Sequence, residues 1–116
     1  MSVLLNTGDA TFRAAPHGSS GLLPATPVLA DFAGRGTLDL AVGEVGGSRL
    51  TVRRGNGDGT FGRRVTYPVG LVPYYLTAAD VSQDGHVDLL ATNAGGSTIS
   101  ILLGNGDGSF EAARTL

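Results

Sequence analysis

The stretch LLGNGDGSF (residues 102–110) decides the fold, because nearly the same phrase occurs twice more in this chain. RRGNGDGTF occupies residues 53–61, and LLNTGDATF occupies residues 4–12. Each phrase ends on a phenylalanine, and successive phenylalanines are 49 residues apart (61 − 12 and 110 − 61). A fixed period of this length is typical of stacked supersecondary units, so the sequence predicts a repeat protein.

Composition agrees with a small, turn-rich β domain. The chain has 116 residues, 19 of them glycine, and 41% of its residues are hydrophobic, which is enough apolar material for a core. It contains no cysteine, so disulfides and thiolate chemistry are excluded. No apolar run is long enough for a membrane span, and the opening MSVLLNTGDA lacks the features of a signal peptide. A net charge of −2 indicates no particular partner.

The period divides the chain into about two and a third repeats. A shift of 49 places aligns LADFAGRGTLDLAV with AADVSQDGHVDLLA, and the identities are mainly Gly, Asp, Pro and Phe. We therefore predict a partial unit over residues 1–20, a first blade over 21–69 and a second blade over 70–116. The partial unit is expected to be a hairpin, which we interpret as swapped onto the blade of a neighbouring chain. The alternative is a remnant of a longer repeat array.

Each complete unit is predicted to contain four short strands. In the second unit the first three are LTAAD (76–80), VDLLAT (87–92) and STISILLG (97–104), and in the first unit the fourth is RRVTYPV (63–69). The GNGDG phrase is a hairpin turn whose Asn-Gly and Asp-Gly pairs supply positive φ, and the phenylalanine after it plugs the core. A phosphate-binding loop is disfavoured because no helix follows. Four-stranded units of this length predict β-propeller blades.

The stretch ADVSQDGHVDLLATNAGGSTISILLGNGDGSF (79–110) resembles the FG-GAP/VCBS repeat, the blade unit of integrin-type propellers and of many bacterial surface proteins. The resemblance extends over nearly the whole chain. It implies an all-β fold of antiparallel blades and an extracellular or cell-surface location. The first unit departs from the family pattern in its acidic loop.

That loop in the second unit, DVSQDGHVD, has the spacing of a calcium-binding loop, with glycine at position 6 for the sharp turn. Oxygen ligands favour a hard cation, Ca²⁺ above Mg²⁺. Position 12 is alanine rather than glutamate, so we expect weak binding, with a Kd of about 10⁻⁴–10⁻³ M. The alternative is an ordinary hairpin stabilised by Asx-turns. The predicted ligands, at positions 1, 3, 5, 7 (through its carbonyl) and 9, are Asp80, Ser82, Asp84, His86 and Asp88.

The matching loop of the first unit, DFAGRGTLD, is not expected to bind metal. It keeps Asp31 and Asp39, but Ala33 and Arg35 replace the ligands at positions 3 and 5. Arg35 places a cation where the metal would lie, and we expect it to hold the two carboxylates together.

Five of the eight arginines fall within residues 49–64, around one hairpin. We interpret them as charges that protect an outer strand from edge-to-edge pairing. A patch for an acidic glycan or another anion is the alternative. Nucleic acid is not expected, because no aromatic residues are interleaved with the arginines.

Residues for binding are easier to find than residues for catalysis. The chain has only two histidines and no recognisable triad or dyad, so we do not expect an enzyme. Tyr74 and Tyr75 precede the innermost strand of the second blade, where they could stack on a sugar ring, and Asn93 could supply hydrogen bonds. The alternative is that the tyrosines fill the gap between wedge-shaped blades.

Two functions follow from these patterns. The first is a lectin-like oligomeric propeller that binds glycans between its blades and has a calcium-stabilised loop. The second is a calcium-stabilised adhesion or scaffolding module that binds protein. A propeller needs roughly 4–8 blades to close. We therefore expect a homo-oligomer, a trimer or a dimer, whose subunits close the ring.

Overall fold

A computed structural model of the protein describes residues 4–6, 8, 11–14 and 24–116. These residues form ten β-strands and no α-helix, and all neighbouring strands are antiparallel. The prediction of an all-β chain built from four-stranded antiparallel sheets is confirmed.

Two four-stranded sheets follow one another along the chain. The strands of blade 1 are β3 (Pro24–Ala30), β4 (Asp39–Glu44), β5 (Arg49–Gly55) and β6 (Phe61–Pro68). The strands of blade 2 are β7 (Pro73–Ala79), β8 (Asp88–Asn93), β9 (Thr98–Leu102) and β10 (Arg114–Thr115). In both blades the spatial order of the strands is their chain order. β7 begins at Pro73, three residues before the predicted strand. The pairing of β7 with β8 has a register shift between Pro73 and Tyr75.

The remaining strands form a hairpin near the start of the chain. β1 (Leu4–Asn6) pairs with β2 (Phe12–Ala14), with Leu4 opposite Ala14. This hairpin is the counterpart, one period upstream, of β5 and β6. The predicted packing of the Phe12 side chain lies outside the described residues, as does most of the segment around it.

The hydrophobic core lies between the two blades. Alternate residues of each strand face it, as the period of two in the sequence predicts. Blade 1 contributes one face of its sheet, and the side chains involved are Val28, Ala30, Ala41, Leu50, Val52 and Tyr67. Blade 2 contributes the opposite face of its own sheet through Leu76, Ala78, Leu89, Ala91, Leu102 and Phe110.

Phe110, the last residue of the repeated phrase, plugs this core. Its ring packs edge-to-face on Phe32, with centroids 5.2 Å apart, and on Tyr67 at 5.7 Å. Its backbone N–H also donates to the Tyr67 hydroxyl at 3.2 Å. The phrase therefore recurs because the phenylalanine of one blade closes the core against the blade before it.

The glycines of the repeated phrase have two different roles. Four of them adopt positive φ in the hairpin turns, as predicted: Gly57, Gly59, Gly106 and Gly108. Gly55 and Gly104, which open the phrase, are needed for another reason. A Cβ on Gly55 would collide with the carbonyl of Leu38, and one on Gly104 with the carbonyl of Val87. The strand end can approach the acidic loop only because it has no side chain there.

Candidate functional site

The acidic loop of blade 2 connects β7 to β8 and is exposed over most of its length. The Asp80 carboxylate accepts hydrogen bonds from the backbone N–H groups of Asp84 at 3.2 Å and Gly85 at 2.9 Å. The Asp84 carboxylate accepts one from the His86 N–H at 2.9 Å. These bonds close two short turns, and they leave the outer lone pairs of Asp80 and Asp84 open to solvent.

Asp88, at the end of the loop, is fully buried. Its Oδ2 accepts from the N–H groups of Val81 at 2.9 Å and Ser82 at 3.1 Å, and its Oδ1 accepts from Gly104 at 2.8 Å. Burial alone would raise the pKa of Asp88, but these donors and the Ser82 hydroxyl outweigh it and hold that pKa below its usual value. Asp88 thus joins the start of the loop to the end of the GNGDG hairpin.

The predicted ligands offer the oxygen atoms that calcium prefers, but their side chains are not arranged around a common centre. Asp80, Ser82 and Asp84 offer exposed oxygens, which a hard cation prefers. The Asp88 carboxylate already accepts three backbone N–H hydrogen bonds, so calcium would have to displace some of these bonds in order to bind it. Over the described ranges, no three acidic or histidine side chains converge into a ready metal cluster.

His86 is directed away from the loop interior. Its ring lies so close to Gly106 that a Cβ there would collide with it. The imidazole therefore covers the hairpin turn, and only the carbonyl of His86 suits the ligand role predicted for position 7.

The acidic loop of blade 1 has the same internal bonds. Asp31 accepts from the backbone N–H groups of Arg35 at 3.0 Å and Gly36 at 2.7 Å, and these bonds lower its pKa. Asp39 is buried and accepts from the N–H groups of Phe32 at 3.1 Å and Gly55 at 2.9 Å. Each bond has its counterpart 49 residues later in blade 2.

Arg35 is the cation of the blade 1 loop. Its guanidinium lies 2.6 Å from Asp39 Oδ1, while its backbone N–H binds Asp31. Arg35 thus contacts both carboxylates, one through its side chain and the other through its backbone.

A groove between the innermost strands of the two blades holds Tyr74 and Tyr75. More than half of each tyrosine side chain is exposed, and the two rings meet edge-to-face with centroids 5.8 Å apart. The Thr26 hydroxyl of β3 donates to the Tyr74 carbonyl at 3.2 Å and so ties the two walls together. The groove has a volume of about 730 Å³, and its other lining residues are Pro24, Ala25, Pro27 and Val45.

Asn93 lies apart from the tyrosine groove and does not line it. It is buried, and its Nδ2 donates to the hydroxyls of Thr98 at 3.1 Å and Ser100 at 2.8 Å. Its Oδ1 has no hydrogen-bond partner among the described residues. The structure therefore brings together two of the three residues predicted to bind a glycan.

The counterpart of Asn93 in blade 1 is Glu44, a buried acid that sequence reasoning did not single out. Its carboxylate binds Arg49 at 2.7 Å, accepts a short hydrogen bond from the Thr51 hydroxyl, and lies 3.9 Å from Arg64. Burial would raise the pKa of Glu44, but these three partners hold it below the usual value. In the 49-residue alignment, Asn93, Thr98 and Ser100 of blade 2 are replaced in blade 1 by an acid, a base and a hydroxyl residue: Glu44, Arg49 and Thr51. This replacement was the available signal.

The arginines within residues 49–64 make different contacts. Arg49 and Arg64 face Glu44, and Arg53 donates to the carbonyls of Phe61 and Gly62 across the outer hairpin. Much of the positive charge is thus used within blade 1.

The family model described as an FG-GAP-like repeat matches residues 31–91 of this chain. The matched segment begins at the acidic loop of blade 1 and extends into β8, so it covers 61 of 116 residues. Comparison with curated proteins gives no match. Among the residues described, no helix has the length and apolar character required to cross a membrane.

Proposed function

Because this chain belongs to the FG-GAP-like repeat family and is a β-propeller-type module, we propose that it binds carbohydrate in the groove between its two innermost strands. The observation that carries the proposal is the exposed pair of Tyr74 and Tyr75 on one wall of that groove. Exposure of a large aromatic side chain to water is unfavourable, and a ligand or partner that covers it removes this apolar surface from water.

A sugar ring suits such a wall for two reasons. The apolar C–H face of a pyranose can lie on an aromatic ring, and the tyrosine hydroxyls remain available for hydrogen bonds at the rim. A second groove wall, formed by β3, lies opposite. Single sites of this kind bind weakly, and several copies in one assembly would raise the avidity.

Calcium binding by the acidic loop of blade 2 is part of this proposal. The side chains of Asp80, Ser82, Asp84 and Asp88 and the carbonyl of His86 would hold the ion. When bound, Ca²⁺ would supply a positive charge that crosslinks the loop and stabilises the fold. The two exposed carboxylates, Asp80 and Asp84, support this role, and the saturated Asp88 supports weak binding.

The protein-binding alternative is favoured by the rest of the groove lining. Pro24, Ala25, Pro27 and Val45 are apolar, and the Thr26 hydroxyl is already engaged by a backbone carbonyl. Grooves lined by aromatic residues also receive extended proline-rich peptides. The same tyrosines would then recognise a peptide segment of a partner protein.

A glycan array probed with the wild-type chain and with Tyr74→Ala and Tyr75→Ala tests the proposal. We expect each alanine variant to reduce glycan retention about tenfold, which corresponds to about 1.4 kcal/mol of lost stacking. Tyr74→Phe keeps the ring and is the matched control, which should retain most of the binding. All variants should unfold at temperatures close to that of the wild type, since both side chains are exposed.

Failure of the wild-type chain to retain any glycan would overturn the carbohydrate proposal. Retention of proline-rich peptides with the same tyrosine dependence would establish the alternative. Repeating the array in EDTA separates the sugar site from the calcium loop, because the groove residues include none of the predicted ligands.

A further inference from the structure

We infer that the outer face of blade 2 docks a second copy of this chain in a head-to-tail arrangement. We call this surface the flank face. It is the side of the blade 2 sheet that points away from blade 1, and the strand register also places Thr77, Thr92 and Arg114 on it. Its apolar residues are Tyr75, Val81, Leu90, Ile99, Ile101 and Leu116. The inference concerns assembly, and Tyr75 is the one residue that this face shares with the glycan groove.

The apolar residues of the flank face are largely uncovered, but most of their counterparts in blade 1 belong to the core. Val81 is 45% exposed, whereas Phe32, 49 residues earlier, is 3% exposed. Ile99 is 40% exposed, whereas its counterpart Leu50 is fully buried. The same relation holds for Leu116, which is 75% exposed and corresponds to the partly buried Tyr67. The repeat therefore places on blade 2 a packing surface that the described residues leave exposed.

The structure also shows what covers such a surface. In blade 1, Phe32 and Tyr67 receive the ring of Phe110, and the same core cluster contains the fully buried Leu102. The covering element is thus the opposite face of another blade, with a leucine and a phenylalanine at its outer strands. A partner for the flank face should present these two positions.

The hairpin at the start of the chain presents the leucine. Leu4 lies 98 residues, two periods, before Leu102, yet it is 66% exposed. The hairpin also sits where a preceding blade belongs, because a Cβ on Gly59 would collide with Leu5. The counterparts of these two residues, Arg54 and Gly108, line one cleft between blade 1 and blade 2.

The two ends of the arc are therefore complementary. One end carries the flank face, and the other carries the hairpin with Leu4 in the position of Leu102. A second copy of the chain supplies the missing half of each surface, and its own inter-blade packing demonstrates the geometry. Such a contact uses different surfaces on the two copies, so it continues into a ring or a filament.

Sedimentation velocity of the whole 116-residue chain at micromolar concentration tests this inference. We expect association of the wild type and at least a tenfold weaker association of Ile99→Arg and of Leu4→Arg, because each places a charge in an apolar contact. Val65→Arg is the matched control, since it adds arginine at an exposed valine of blade 1 whose counterpart in blade 2 is already Arg114. It should associate like the wild type.

Mixing the two variants gives the decisive result. Ile99→Arg keeps an intact hairpin and Leu4→Arg keeps an intact flank face, so a head-to-tail contact predicts that the mixture forms heterodimers although neither variant self-associates. If Ile99→Arg loses its β-sheet circular dichroism, Leu116→Arg at the exposed chain end replaces it. A monomeric wild type, or a mixture that stays monomeric, would overturn the inference.

Discussion

The acidic loops of the two blades differ at positions 3 and 5 of the predicted calcium motif and agree at positions 1 and 9, whose aspartates shape the backbone. Positions 3 and 5 are Ala33 and Arg35 in one loop and Ser82 and Asp84 in the other. Positions 1 and 9 are aspartate in both, and they bind equivalent backbone N–H groups. The loop conformation therefore depends on its first and last carboxylates and can form without the predicted calcium ligands at positions 3 and 5.

Aspartates that are all predicted calcium ligands therefore have different roles in the fold. The last aspartate, Asp39 or Asp88, is buried and links the loop to the glycine that opens the hairpin phrase. The aspartate at position 5, Asp84, is exposed and accepts one local hydrogen bond. We therefore expect substitution of the buried aspartate to lower the free energy of unfolding, and substitution of Asp84 to remove the calcium-dependent rise in melting temperature.

The largest effect is expected from Asp88→Ala and Asp39→Ala. Each substitution leaves buried N–H groups without an acceptor, including that of Gly104 or Gly55. We expect a loss of about 3 kcal/mol or more in the free energy of unfolding for both variants, measured by urea denaturation without calcium. Asp84→Ala is the exposed control and should lose less than about 1 kcal/mol.

Equal destabilisation by all three variants would contradict these different roles for the buried and exposed aspartates. It would mean that the exposed and buried carboxylates contribute alike, so the backbone bonds of Asp39 and Asp88 would not be what holds the loops. A large loss for Asp88→Ala alone would show that the two blades depend on different supports.

The repeat period could be read from the sequence because the residues it preserves are the ones that shape the backbone. The spacing of the phenylalanines predicted the sheets, and the Asn-Gly and Asp-Gly pairs predicted the positive φ of the turns. The burial of Phe110 in the core was correctly predicted, since an aromatic residue that follows a tight turn at a fixed period is expected to pack on the neighbouring sheet. At these positions the turn preferences of the individual residues and the 49-residue repeat predict the same structure.

The remaining features depend on which face of each strand is covered. Asn93 stands in a polar stretch, but its position on β8 directs it into the blade interior, where it binds Ser100. Glu44 is buried by the same register and is compensated by Arg49, a pairing that spacing alone does not reveal. The need for Gly55 to admit the Leu38 carbonyl is likewise a property of the packed structure.

The next largest effect is the response to calcium. At calcium concentrations ten to a hundred times the Kd, binding to the blade 2 loop should stabilise the fold by about 1.4–2.7 kcal/mol. We expect a rise in melting temperature that Asp84→Ala abolishes and that Arg35→Ala, at the same loop position in blade 1, leaves unchanged. Differential scanning calorimetry in calcium and in EDTA measures both.

A gain-of-function variant sharpens this test. Ala33→Ser combined with Arg35→Asp gives the blade 1 loop the same side chains at positions 3 and 5 as the blade 2 loop. Since the two backbones share their internal bonds, we expect the double variant to show an additional calcium-dependent rise. A wild-type melting temperature that is unaffected by calcium at about 100 mM, about a hundred times the weakest expected Kd, would show that the blade 2 loop does not bind it.

The smallest effect is expected from Arg35→Ala itself. The Arg35 guanidinium binds Asp39 at 2.6 Å, but its side chain is partly exposed, and Asp39 keeps the N–H donors of Phe32 and Gly55. An ion pair that water can reach contributes little, so we expect a loss below about 1 kcal/mol that shrinks further in high salt. Urea denaturation at low and high salt measures it, with Arg35→Lys as the control that keeps the charge. A salt-insensitive loss as large as that of Asp39→Ala would mean that the blade 1 loop requires its cation, and the two loops would then differ in how they fold.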